Sequence, residues 1–96
     1  MPQATGRVVH NEDASQFELQ LPGGLAVLRY QRTSDGMDLL HTMVPPQDEG
    51  VGHGSSLVRA AIDYARSSNE RIIATCPFVK AYLEKHPEDG ALALSP

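Results

Sequence analysis

Phe17, Leu19 and Leu21 alternate with Glu18 and Gln20, a period of two that predicts a half-buried strand. Arg7 to His10 reads as a short strand before it, across a polar turn over 11–15. Pro22-Gly23-Gly24 interrupts the pattern, and Leu25 to Arg32 is β-rich enough for a third strand. After the turn signal Thr33-Ser34-Asp35-Gly36, Met37 to Val44 makes a fourth. Strict alternation places Met37, Leu39, His41 and Met43 on one face, with Leu40, Thr42 and Val44 on the other. Turns this short favour an antiparallel meander. From Leu57 the period becomes helical: Leu57, Val58, Ala61, Ile62, Tyr64 and Ala65 form one stripe, and Arg59, Asp63 and Arg66 sit off it. Ser67-Ser68-Asn69 ends that helix. Arg71 to Cys76 is a nearly continuous apolar run, expected of a strand covered on both faces. Pro77 suits the first position of a second helix, with Phe78, Val79, Tyr82, Leu83 and His86 at helical spacing until Pro87 stops it. The tail from Glu88 has no regular period.

Strand, loop, helix, strand is a βαβ unit, which lays the strand ending at Cys76 parallel to the one ending at Val44. The expected fold is therefore mixed α/β (α+β): a four-stranded antiparallel meander, a glycine loop, a helix, a parallel fifth strand and a closing helix. One domain over 1–96 is expected, with 1–5 and 89–96 loosely ordered. The C-terminal ends of parallel strands are where ligands gather in α/β units, and this topology is expected to bring His41, the loop and Cys76 toward one place. Between strand and helix lies Val44-Pro45-Pro46-Gln47-Asp48-Glu49-Gly50-Val51-Gly52-His53-Gly54-Ser55-Ser56-Leu57. Glycines at 50, 52 and 54 free the backbone for a sharp bend, and the amides at the helix start that follows form a site for phosphate.

Composition narrows the partners. An apolar share of 41% belongs to a packed globular chain. No apolar run approaches the roughly 20 residues of a membrane helix, and Met1-Pro2-Gln3-Ala4-Thr5 lacks a signal pattern, so a cytoplasmic location is expected. Net charge is −4 with scattered basic residues, which argues against a nucleic-acid surface. Four histidines and one cysteine show no close ligand pair, so no metal site is expected. The Walker lysine is missing, which argues against triphosphate hydrolysis. A dinucleotide fingerprint normally follows the first strand of a parallel sheet, whereas this loop follows a meander.

Val44-Pro45-Pro46 followed by Gly50-Val51-Gly52-His53-Gly54-Ser55-Ser56-Leu57-Val58 resembles the acetyl-CoA loop of the GNAT (GCN5-related) N-acetyltransferases. Cys76-Pro77-Phe78-Val79-Lys80-Ala81-Tyr82-Leu83-Glu84-Lys85-His86-Pro87 is similar to the closing segment of their minimal single-domain branch, and His41-Thr42 fits the same branch. Glu49 stands where the family carries a cation or amide, and His53 where an aliphatic residue is usual. The resemblance implies an acetyl-CoA-dependent N-acetyltransferase acting on an unidentified amine, small molecule or protein. Met43 and Val44 would hold the pantetheine arm, and Gly50, Val51, Gly52, His53, Gly54 and Ser55 the pyrophosphate of coenzyme A. Too few residues precede the second strand for the helices that build the acceptor pocket in full-length relatives, so the acceptor site is expected to be open, shared with a partner chain, or lost. That absence keeps a non-catalytic acyl-CoA-binding or sensing module as the alternative, and an interaction domain without ligand as a third.

Three residues are catalytic candidates. Cys76, at a strand end before a proline-started helix whose dipole can favour the thiolate, is a transient acyl carrier, a residue lining the thioester, or a small buried hydrophobe. His41 is either a base or a core histidine. Tyr82 aligns with the tyrosine that in many relatives protonates the departing thiolate, and otherwise packs beside Phe78. His86 reads as a helix-end residue favoured by the dipole.

Overall fold

The structure, a computed structural model, describes residues 7–90. Five strands form one mixed sheet in the order β1-β2-β3-β4-β5. Strands β1 (Val9–Asn11), β2 (Gln16–Leu21), β3 (Gly24–Thr33) and β4 (Gly36–Met43) pair antiparallel, and β5 (Ile72–Ala74) pairs parallel to β4. Helix α1 (His53–Ser67) crosses between β4 and β5, and α2 (Pro77–Lys85) follows β5. A short helix α3 (Pro87–Gly90) takes in two residues for which loose order was expected; 1–5 and 91–96 lie outside the described residues.

The core is the inner face of the sheet. Phe17, Leu19 and Leu21 on β2 pair with Leu28, Ala26 and Gly24 on β3, and Tyr30 pairs with Leu39 on β4. Against them α1 presents Leu57, Val58, Ala61, Ile62 and Ala65, all fully buried. Burial of each larger aliphatic side chain contributes about 1.5–3 kcal/mol, so the stripe, rather than helix propensity, holds α1 in place. The helix stops in a Schellman motif. Asn69 takes φ 58°, the Glu70 amide donates to the Ala65 carbonyl at 2.8 Å and the Asn69 amide to that of Arg66 at 3.4 Å.

Strand β5 differs from expectation. It is three residues long and forms a sheet edge, with Ile72 buried and Ile73 and Ala74 half-buried. The apolar run 72–76 thus reflects one covered face and a turn into α2, where Cys76 is again buried. At the opposite edge His10 stacks on Phe17 (centroids 4.2 Å apart) and shares a 2.7 Å hydrogen bond with the Tyr30 hydroxyl. Arg32 donates to the Tyr64 hydroxyl at 2.8 Å and pairs with Glu70 at 3.2 Å, tying β3 to the end of α1.

Candidate functional site

The paired stretch of the two parallel strands ends at Leu39–Ala74. The Cys76 amide still donates to the Leu39 carbonyl at 2.9 Å, while β4 runs on to Met43 past its last residue in register with β5. A bulge decides which side chains face the chain beyond that ladder. Between the Leu28–Thr42 and Tyr30–Leu39 pairs, β3 has only Arg29, whereas β4 has both Leu40 and His41. One extra residue inverts the alternation that follows. Thr42 therefore shares the inner face with Leu39, whereas His41 and Met43 point outward and are exposed. The faces assigned by strict alternation are corrected beyond Leu39, and His41 does not come together with Cys76. Thr42 does: its Oγ1 lies 3.5 Å from the Cys76 Sγ, and either atom can donate.

After Val44 and Pro45 the chain makes one 3-10 turn, Pro46–Asp48, and then the glycine turn. Gly50 and Gly52 take φ 87° and 94°, left-handed values that side chains adopt at a cost. Gly52 is the N-cap of α1, and no side chain caps that end. The first intrahelical bond runs from the Ser56 amide to the Gly52 carbonyl at 3.1 Å. The amides of His53, Gly54 and Ser55 precede it and have no intrahelical acceptor at a helix start. At Gly54 the constraint is different: a Cβ there would stand 2.9 Å from the Phe78 ring on α2, which would have to shift.

These elements form a half-open cavity of about 390 Å³, walled by Thr42, Val44 and Phe78 together with Asp48, Glu49, Gly50 and the helix start from Gly52 to Ser55. Of the cofactor-binding candidates, Val44, Gly50, Gly52, His53, Gly54 and Ser55 line it; Val51 (70% exposed) and Met43 do not. None of the three catalytic candidates reaches its wall. Cys76 is 3% exposed and stands behind Thr42. Tyr82 is buried, its ring stacked on His86 with centroids 4.1 Å apart and the Arg59 guanidinium 5.9 Å from its centre. Thr42, Asp48 and Phe78 are wall residues that the sequence did not mark as part of a site, Phe78 being placed only by its helical spacing. The bulge that turns Thr42 inward has no sequence signature here, and the Phe78 contact joins two helices. Carboxylates of Asp48 and Glu49 sit beside the loop, and no lysine or arginine lines the cavity. Among the described residues no three His, Cys, Asp or Glu side chains group as metal ligands.

A sequence model of the GCN5-related N-acetyltransferases matches residues 16–92. The chain belongs to that family. The solution NMR structure of a GCN5-like protein from Staphylococcus aureus superposes with a TM-score of 0.73 at 27% identity, over 98% of this chain and 93% of that one. The mixed sheet, with its meander and parallel last strand, is the GCN5-related fold. Family membership makes acetyltransferase chemistry the general activity class, and the family generally uses acetyl-CoA. Among the described residues no helix is long and apolar enough to cross a membrane.

Proposed function

We propose that the cavity binds acetyl-CoA and that the protein transfers its acetyl group to an amine, acting as one domain in the cytoplasm. The supporting observation is the meeting, at one cavity, of an uncapped helix start, a left-handed glycine turn and the stretch of β4 that runs past its ladder with β5. The residues present fit a coenzyme A diphosphate: main-chain amides at 52–55 and the α1 dipole supply the attraction that no basic side chain provides. In this reading Val44 and the Met43 backbone bound the pantetheine arm, with Val51 at the outer rim.

An amine attacking the thioester carbonyl must shed a proton, and the departing thiolate must gain one. Charge builds on the carbonyl oxygen, where a main-chain N–H of β4 beyond the bulge is the available stabiliser. Cys76 would enter as an acyl carrier. Its sulfur attacks the acetyl carbon and coenzyme A leaves as a thiol; the amine then takes the acetyl group and restores the Cys76 thiol. Tyr82 is the proposed proton donor in direct transfer, and His41, on the outer face, would serve only an amine arriving from that side.

Calorimetric titration with acetyl-CoA tests binding, and saturable heat is expected. Release of free thiol over a panel of small and protein amines tests transfer. An acetyl adduct on the intact wild-type chain, absent in Cys76→Ala, would support the acyl carrier, and full turnover by that variant would exclude it. One observation favours a second reading, a non-catalytic acyl-CoA-binding module: Cys76, His41 and Tyr82 all stand off the cavity wall. Saturable binding without thiol release from any amine would select it.

A further inference from the structure

Two acids precede the glycine turn, where an anion cradle is poorly served by negative charge, and one of them has a specific partner. The Asp48 Oδ2 accepts the Gly23 amide at 2.9 Å, across 25 positions of sequence. Packing there is tight. A Cβ on Gly23 would fall 2.6 Å from that same oxygen and 2.6 Å from the Gln47 Cγ. The β2–β3 turn is itself fixed by the Leu21–Gly24 pair at the end of the ladder. Within the loop the other hydrogen bonds are local, from the Asp48 amide to Pro45 at 2.9 Å and from the Glu49 amide to Pro46 at 3.3 Å. Among the described residues, then, the Asp48 side chain makes the hydrogen bond that ties 45–50 to the sheet.

We propose that Asp48 is a positioning residue, a latch by which the β2–β3 turn holds the cofactor loop in its binding shape at some electrostatic cost to the diphosphate. This deepens the acetyl-CoA reading and rests on it. The carboxylate does two opposed things: its acceptor oxygen orders the loop, and its charge repels the ligand from the same wall of the cavity. Asparagine separates them, because its amide oxygen can accept the Gly23 N–H without the charge.

The experiment compares Asp48→Asn and Asp48→Ala by titration with coenzyme A and by amide hydrogen exchange of the protein without ligand. Asp48→Asn is expected to bind about three- to tenfold more tightly, the scale of a partly screened like-charge term removed. Its Gly23 amide should stay protected. Asp48→Ala is expected to bind more weakly than Asp48→Asn by about tenfold, with Gly23 exchange accelerated at least as much. Equal affinity of the two variants, or unchanged Gly23 exchange in Asp48→Ala, would overturn the latch. Should no form bind coenzyme A, the acetyl-CoA reading fails by itself, and the exchange data still decide whether Asp48 holds the loop.

Discussion

Gly52 and Gly54 are two residues apart and resist substitution for different physical reasons, which makes them a sharp test of the loop. At Gly52 a new Cβ meets nothing within 4 Å, so the penalty is conformational. Holding an L-residue at φ 94° costs about 1–2 kcal/mol. If the free loop keeps this shape, Gly52→Ala lowers stability by that amount, about 4–16 °C in Tm for a chain of this size. If the loop adopts the shape only on binding, acetyl-CoA affinity falls about 5- to 30-fold instead. The two losses must sum to about 1–2 kcal/mol, so thermal melts and calorimetric titration of one variant close the account. Gly52→Asn should cost less, because asparagine tolerates the left-handed region. Gly54 has no left-handed φ; its Cβ would press 2.9 Å from the Phe78 Cζ, the tip of a ring 43% exposed. Gly54→Ala should therefore leave stability nearly unchanged, since the ring can yield, but shift the cavity wall and weaken binding. In a Phe78→Ala background the same change should be neutral, or stabilising by up to about 1 kcal/mol. An alanine at 52 that costs neither stability nor affinity would refute the reasoning, as would additivity of the 54 and 78 changes in acetyl-CoA affinity.

Gly36→Ala would place a Cβ 2.4 Å from the Arg71 carbonyl, against backbone that cannot rotate away, at a φ of 152°. A loss of about 3 kcal/mol is expected, read as a denaturant midpoint shift at constant m. The His10 side chain is held below its ordinary pKa chiefly by burial, which outweighs the raising effect of Glu12. The unfolded chain therefore binds this proton more readily, and stability should fall as pH drops below about 6.5. His10→Phe should lose less of its Tm between pH 7.5 and 5.5 than the wild type does, and equal losses would discount the histidine. Hydrogen bonding from Arg32 holds Glu70 below its ordinary pKa, so its contribution is present above about pH 4.5 and is lost in more acid solution; Glu70→Gln should flatten that limb of the melt series. Thr42→Val removes the hydroxyl 3.5 Å from the Cys76 sulfur and should shift the infrared S–H band of the single cysteine, whereas Thr42→Ser should keep it.

How far the sequence could be read follows from where each signal resides. Strands β2 and β3, helix α1 and the order meander–loop–helix–strand were legible because each is written in local periodicity that the core enforces: alternation in 17–21, a helical stripe from Leu57 to Ala65. The glycine loop was legible because left-handed turns and a close helix approach favour glycine, and 50, 52 and 54 have it. Beyond Leu39 the reading failed at one residue. A bulge on β4 is a property of the β3–β4 pair, not of either strand alone, so Met37–Leu39–His41–Met43 reads as an unbroken alternation while the fold inverts it after Leu39. That single inserted residue exchanges His41 for Thr42 as the neighbour of Cys76.

The same inversion constrains the chemistry. Were β4 regular, His41 would take the inner face beside a thiol, an arrangement suited to an activated nucleophile. With the bulge, the buried thiol has a hydroxyl for company, which can orient it but is a poor base at neutral pH. In the proposed transfer, direct attack by an amine that arrives already neutral therefore requires less of this site than an acyl-cysteine intermediate does. The comparison that separates them is turnover against pH for two amines of different basicity. If the rise in rate tracks the pKa of each amine, the acceptor supplies its own neutral form. A rise at one common pH for both amines would place the deprotonation on a protein group and refute the self-supplied neutral amine.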